Sequence, residues 1–173
     1  LAKGRDLSPE LHRSCWLALW TDLDRLCPGI AEALYAHETS AAGWQPYPDA
    51  REVLEALAVA GIPVVVVSDV AFDLRPIFDH YEMRHLVRDF VLSGEHGSIK
   101  PWGELFRIAL ETVGVAPARA LMVGDNPAND GAATAAGITT LLLPVPATGH
   151  PRNLALVLPL LGAYVRLRNE WLA

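Results

Sequence analysis

From about Asp49 onward, apolar positions recur first at helical and then at strand spacing. Val53, Leu54, Leu57 and Ala60 share one helical face, with Asp49 as cap, Glu52 three residues on, and Gly61 as the stop. Ile62 to Val67 is continuous and mostly β-branched, as expected of a parallel strand buried on both faces, with Pro63 tolerated at its beginning. Phe72 to Tyr81 reads as a helix, Asp89 to Ser93 as a shorter strand, and Gly94 to Gly97 as a loop. A helix follows from about Trp102 to Val113, with Leu105, Ile108, Ala109 and Thr112 inward. Ala120 to Val123 makes a third strand, Pro127 to Ala136 an alanine-rich helix closed by Gly137, and Ile138 to Leu143 a fourth strand. A Pro/Gly loop, Pro144 to Pro151, leads to a last helix from about Asn153. Strands alternating with helices predict an α/β class with a doubly wound, mostly parallel sheet.

Residues 1–47 differ in kind. Ser8-Pro9 resembles an N-cap followed by proline. Leu11, Cys15, Leu19, Leu23 and Leu26 then form a helical stripe that Pro28-Gly29 breaks, and Ile30 to His37 reads as a second helix. Gly43 to Pro48 is a linker rich in aromatics and proline. The chain therefore divides into a small helical region, 1–47, and an α/β unit, 48–173, whose tail from Gly162 to Ala173 suits a docked helix or an interface.

Composition narrows the function classes. Half of the 173 residues are apolar (51%) and a fifth charged (20%), which is ordinary globular usage. The net charge of −6, with no Lys/Arg stripe, argues against a nucleic-acid partner. Apolar runs fall far short of the ~20 residues of a membrane span, so no membrane partner is expected. Cys15 and Cys27 have neither metal-ligand spacing nor a disulfide-rich context, which points to the cytoplasm. The first residue, Leu1, suggests a trimmed chain.

Candidate chemistry sits at three successive strand ends. Ser68-Asp69 follows the first strand, Lys100-Pro101 lies after the second, and Gly124-Asp125 with Asp130 follows the third. In a parallel sheet these ends share one edge, where open α/β sheets place ligands. A hydroxyl holds phosphate oxygens, and a lysine neutralises charge on a transferring phosphoryl group. A carboxylate holds Mg²⁺, which prefers oxygen ligands, and a second one orients its waters or pairs with the lysine. Such electrostatic clamping is most of what phosphoryl transfer requires.

These residues resemble motifs II, III and IV of the haloacid dehalogenase-like (HAD) hydrolases: strand-Ser68, Lys100-Pro101, and Gly124-Asp125 followed by Asp130. The resemblance covers about Tyr47 to Pro144 and implies a Rossmann-like sheet and Mg²⁺-dependent transfer through an aspartyl-phosphate. It casts Ser68, Lys100 and Asp130 as catalytic, Ser68, Asp69 and Lys100 as substrate-binding, and Asp125 and Asp130 as metal residues. Asp130 would support the metal's waters or Lys100. Asp69 stands where the family often has Asn or Ser, and its charge would restrict substrates. Residues 1–47 resemble most of the family's small cap, with Trp20, Trp44 and Tyr47 as candidates to face the cleft. Gly124-Asp125 favours the phosphatase branch and a small phosphorylated metabolite as substrate.

The family's nucleophile motif, an apolar strand ending in Asp-x-Asp, has no good copy. Asp22-Leu23-Asp24 is the one Asp-x-Asp, but it lies on the helical stripe. The expectation is a nucleophile upstream of Leu1, or a homodimer or partner segment that supplies the missing central strand, or a rearranged sheet. The isolated chain is then expected to show little phosphatase turnover. The alternatives are a catalytically inactive truncated HAD-like module and a metal-independent 2-haloacid dehalogenase.

Overall fold

The computed structural model describes residues 4–161. Its first part is helical: α1 (Pro9–Leu19), α2 (Thr21–Leu26) and α3 (Ile30–Glu38). Ser8 caps α1 as expected, its hydroxyl accepting from the Leu11 N–H at 3.2 Å, with Pro9 in the first turn. The leucine stripe does not face inward. Leu11, Leu19, Leu23 and Leu26 are 49%, 55%, 48% and 84% exposed, while His12 is buried. The inward face lies one residue round the helix, because the larger aromatic surfaces are there. Trp16 Nε1 donates to His12 Nε2 at 2.8 Å, Tyr35 Oη lies 3.0 Å from His12 Nδ1, and the Phe72 ring packs 5.5 Å from the imidazole.

The α/β part runs α4 (Ala50–Val59), β1 (Val65–Ser68), α5 (Arg75–His80), β2 (Asp89–Leu92), α6 (Ser93–His96), α7 (Glu104–Val113), β3 (Leu121–Gly124) and β4 (Thr139–Leu142). Asp49 does not cap α4. Its backbone is already helical, and its carboxylate accepts instead from the Arg152 and Leu154 N–H groups at 3.0 and 2.7 Å. Two further expectations are corrected. Residues expected to loop after β2 form α6, and the alanine-rich helix is a 3-10 helix starting at Asp130. Asn126 explains the late start: its side-chain oxygen accepts from the Ala128 and Asn129 N–H groups and closes a turn there. The expected tail helix beyond Gly162 lies outside the described residues.

Strand pairing among the described residues is parallel, as the crossover helices require. The expected single sheet is divided among the described residues into two pairs, β1–β2 and β3–β4. Val67 and Met122 pack against one buried cluster, Phe106, Ala133 and Ile138, and Val64, Leu121 and Val123 pack against another, Val53, Leu57 and Val157. β2 is nearly all buried, yet β1 and β3 are only half-buried, contrary to the continuous-strand expectation. Among the described residues each has a paired neighbour on one edge alone. No helix among the described residues is long and apolar enough to cross a membrane.

Candidate active site

The ends of β1, β2 and β3 deliver Ser68-Asp69, the Lys100 turn and the Asp125–Asp130 loop to one rim. The Lys100 N–H donates to Asp69 Oδ1 at 2.8 Å, and Asn129 Nδ2 donates to Asp69 Oδ2 at 3.2 Å. Lys100 Nζ meets Asp130 Oδ1 at 2.5 Å. One aspartate thus ties the first loop to the second and third, and one ion pair ties the second to the third.

Asp130 has a defined task. Its side chain is 3% exposed, and Oδ2 accepts from the Asp125 and Asn126 N–H groups at 2.8 and 2.9 Å. Burial pushes the Asp130 carboxyl up, but the Lys100 hydrogen bond and the two backbone donors outweigh it and hold the group below the usual range. Both Asp130 oxygens are thus engaged, one by the Lys100 ammonium and the other by the two backbone donors. Gly124 makes this possible, since a Cβ there would lie 2.2 Å from Asp130 Oδ2.

Asp69 is also turned inward on backbone and Asn129 donors. Burial raises its carboxyl, partly offset by the Lys100 N–H and charge. Its observed contacts therefore join loops. Ser68 ends β1 half-buried at the rim. It does not cap the next helix, which begins at Arg75. Asp125 is 45% exposed at the side chain, and Arg152 Nη2 stands 3.2 Å from its Oδ1.

The most exposed carboxylate of the rim is that of Asp125, and among the described residues no group of three His, Cys, Asp or Glu surrounds a metal position. This fits Mg²⁺ as a partial site, because that ion takes one or two protein carboxylates and fills its octahedron with water and phosphate oxygens. Sequence reasoning missed Asn129 and Arg152. Asn129 sits inside the motif's variable positions, and Arg152 comes from a loop with no local pattern. Tyr47, a cleft candidate, reaches the rim through Arg152, with Nη1 donating to its hydroxyl at 2.9 Å. Trp44 instead donates from Nε1 to the Glu38 carbonyl at 2.8 Å. Asp22 and Asp24 lie on α2, the first paired with Arg25 and the second accepting from the Gly29 N–H, so they serve the surface and turns of the helical region.

A protein-family model for haloacid dehalogenase-like hydrolases matches residues 2–137. A phosphoserine phosphatase from Thermus thermophilus is 38% identical over 85 residues, 49% of this chain and 34% of that protein. The chain thus spans about a third of this curated relative. A HAD phosphatase from Thermococcus onnurineus superposes with a TM-score of 0.61 at 25% identity, over 68% of this chain and 59% of that one. A 2-haloacid dehalogenase from Pseudomonas syringae gives 0.69 at 20% identity, over 93% and 74%, a likeness of fold. With the family model spanning most of its length and the three strand-end motifs joined at one rim, this chain belongs to the haloacid dehalogenase-like hydrolase family.

Proposed function

We propose that the protein is a Mg²⁺-dependent phosphatase of small phosphorylated metabolites. The observation that carries this reading is the linked set Asp69, Lys100, Asp130 and Asp125 at one strand edge. The half-exposed Asp125 would ligate the cation, which supplies charge neutralisation at the phosphate when bound. Lys100, aligned by Asp130, offers its ammonium to phosphate oxygens and to a nucleophilic carboxylate. The Ser68 hydroxyl binds a phosphoryl oxygen at the end of β1. Asp69 keeps the Lys100 turn in register and contributes negative charge that disfavours strongly anionic substrates near it. The phosphatase relatives support this branch over the dehalogenase one.

The nucleophile is proposed to arrive on a strand lying between β1 and β3, carried by a segment outside the described residues or by a partner chain. Both strands are half-buried and, among the described residues, paired on one edge, which supports this. The test compares the 173-residue chain with the same chain bearing an apolar strand ending in Asp-x-Asp ahead of Leu1. Aryl phosphate hydrolysis is expected from the fusion alone, to require Mg²⁺, and to vanish in Asp125→Asn. Turnover indifferent to chelator and to that substitution overturns the reading, and halide release from a 2-haloacid replaces it with a dehalogenase.

A further inference from the structure

We infer that Arg152 is the resident counter-cation of Asp125 and competes with a divalent ion for that carboxylate. The inference rests on the metal-site reading above. Arg152 comes from the loop after β4, and its guanidinium is fixed without help from Asp125. Nη1 donates to the Tyr47 hydroxyl at 2.9 Å, and Nη2 donates to the Leu143 carbonyl at 3.2 Å. The guanidinium lies over the Tyr47 ring, 5.0 Å from its centre. Its main-chain N–H is held by Asp49 at 3.0 Å. Burial raises the Asp49 carboxyl, but several backbone donors, Arg152 first among them, outweigh it and keep the group below the ordinary value.

A guanidinium restrained in this way, with a side chain 10% exposed, stays at the rim whether or not Asp125 holds a cation. The loop that reads as doubly acidic therefore presents little net negative charge. Lys100 offsets Asp130, and Arg152 offsets Asp125. A divalent ion on Asp125 would sit one carboxylate's width from a fixed positive charge, and salt screens such a partly buried pair poorly. Cation binding is then weak until a second anion, a phosphate or another carboxylate, joins the rim.

The test is calorimetric titration of Mg²⁺ into the 173-residue chain and into Arg152→Gln, Arg152→Lys and Asp125→Asn, each checked for folding by circular dichroism. Arg152→Gln is expected to bind Mg²⁺ about three- to tenfold more tightly than the parent, and Arg152→Lys about as the parent does. A residue that merely positioned Asp125 would weaken binding when removed. Equal or weaker binding by Arg152→Gln, or no detectable binding in either protein, overturns the inference. Should Arg152→Gln not fold, the neutral Arg152→Met, which keeps much of the stem's length, is titrated in its place. Tighter binding supports the inference, and unchanged binding overturns it. Loss of binding in Asp125→Asn without tightening in Arg152→Gln sinks this inference alone. Parent-like binding in Asp125→Asn sinks the metal-site reading itself.

Discussion

A methyl group on Gly124 would place its carbon 2.2 Å from Asp130 Oδ2 and 2.3 Å from Asp130 Cγ, so the carboxylate would have to leave its donors. Gly124→Ala is expected to cost about 2 kcal/mol or more in urea unfolding, and a variant within about 0.5 kcal/mol of the parent would show that the loop re-forms elsewhere. Asp130 also carries a pH signature. Its folded carboxyl is lowered, so its stabilisation is present above roughly pH 4, the ordinary carboxylate range, and is lost as pH falls through the folded value. Asp130→Asn should therefore be less stable than the parent at neutral pH, by about 2–4 kcal/mol, and should flatten the acid limb of the stability profile. A parallel acid limb would contradict that assignment. At this scale the spacing of Ser68, Lys100, Asp125 and Asp130 was legible, because short motifs at strand ends fix their own neighbours. Arg152 and Asn129 were not, since their partners, Asp125 and Asp69, are reached only through tertiary contacts.

Element types were mostly legible, and element faces less so. The period of α1 was right but its inward side was not. A stripe of leucines and an adjacent stripe of His12 and Trp16 both satisfy helical spacing, and only packing against Tyr35 and Phe72 chooses between them. In the same way α7 turns Leu105 and Phe106 inward, 0% and 1% exposed, where the sequence favoured Ile108 and Ala109 beside Leu105. Phe106→Ala is expected to cost about 3–5 kcal/mol by chemical denaturation, because the ring is fully buried in a core cluster, whereas Leu19→Gln should stay within about 0.5 kcal/mol. Equal costs would refute the assigned faces. His12 adds a second pH window. Burial lowers its folded pKa, opposed by Asp6, so its contribution is full above about pH 6.5 and falls as the pH drops towards the folded value. Thermal melts of His12→Gln should lose that dependence while remaining about 1–3 kcal/mol less stable near neutrality. A pH profile identical to the parent's would count against the buried neutral imidazole.

On the scale of the molecule, alternation of strand and helix was enough to read the α/β class, and the motifs were enough to read the family. The division into two strand pairs was legible only as an expectation about a missing centre, because pairing between distant strands leaves no local trace. What unites the halves is two buried clusters, around Phe106 and around Val157, against which residues from both halves pack, and the rim where three loops exchange hydrogen bonds. We propose that these loops form a single site for a magnesium-bound phosphate. Thermodynamic linkage tests it most directly, since two ligands sharing a site must raise each other's affinity by the same factor. Calorimetric titration of inorganic phosphate into the chain, with and without saturating Mg²⁺, should show tighter phosphate binding with the ion. The coupling should disappear in Asp125→Asn and phosphate binding should weaken in Lys100→Met. Phosphate affinity that ignores Mg²⁺, or that survives both substitutions unchanged, would contradict the account.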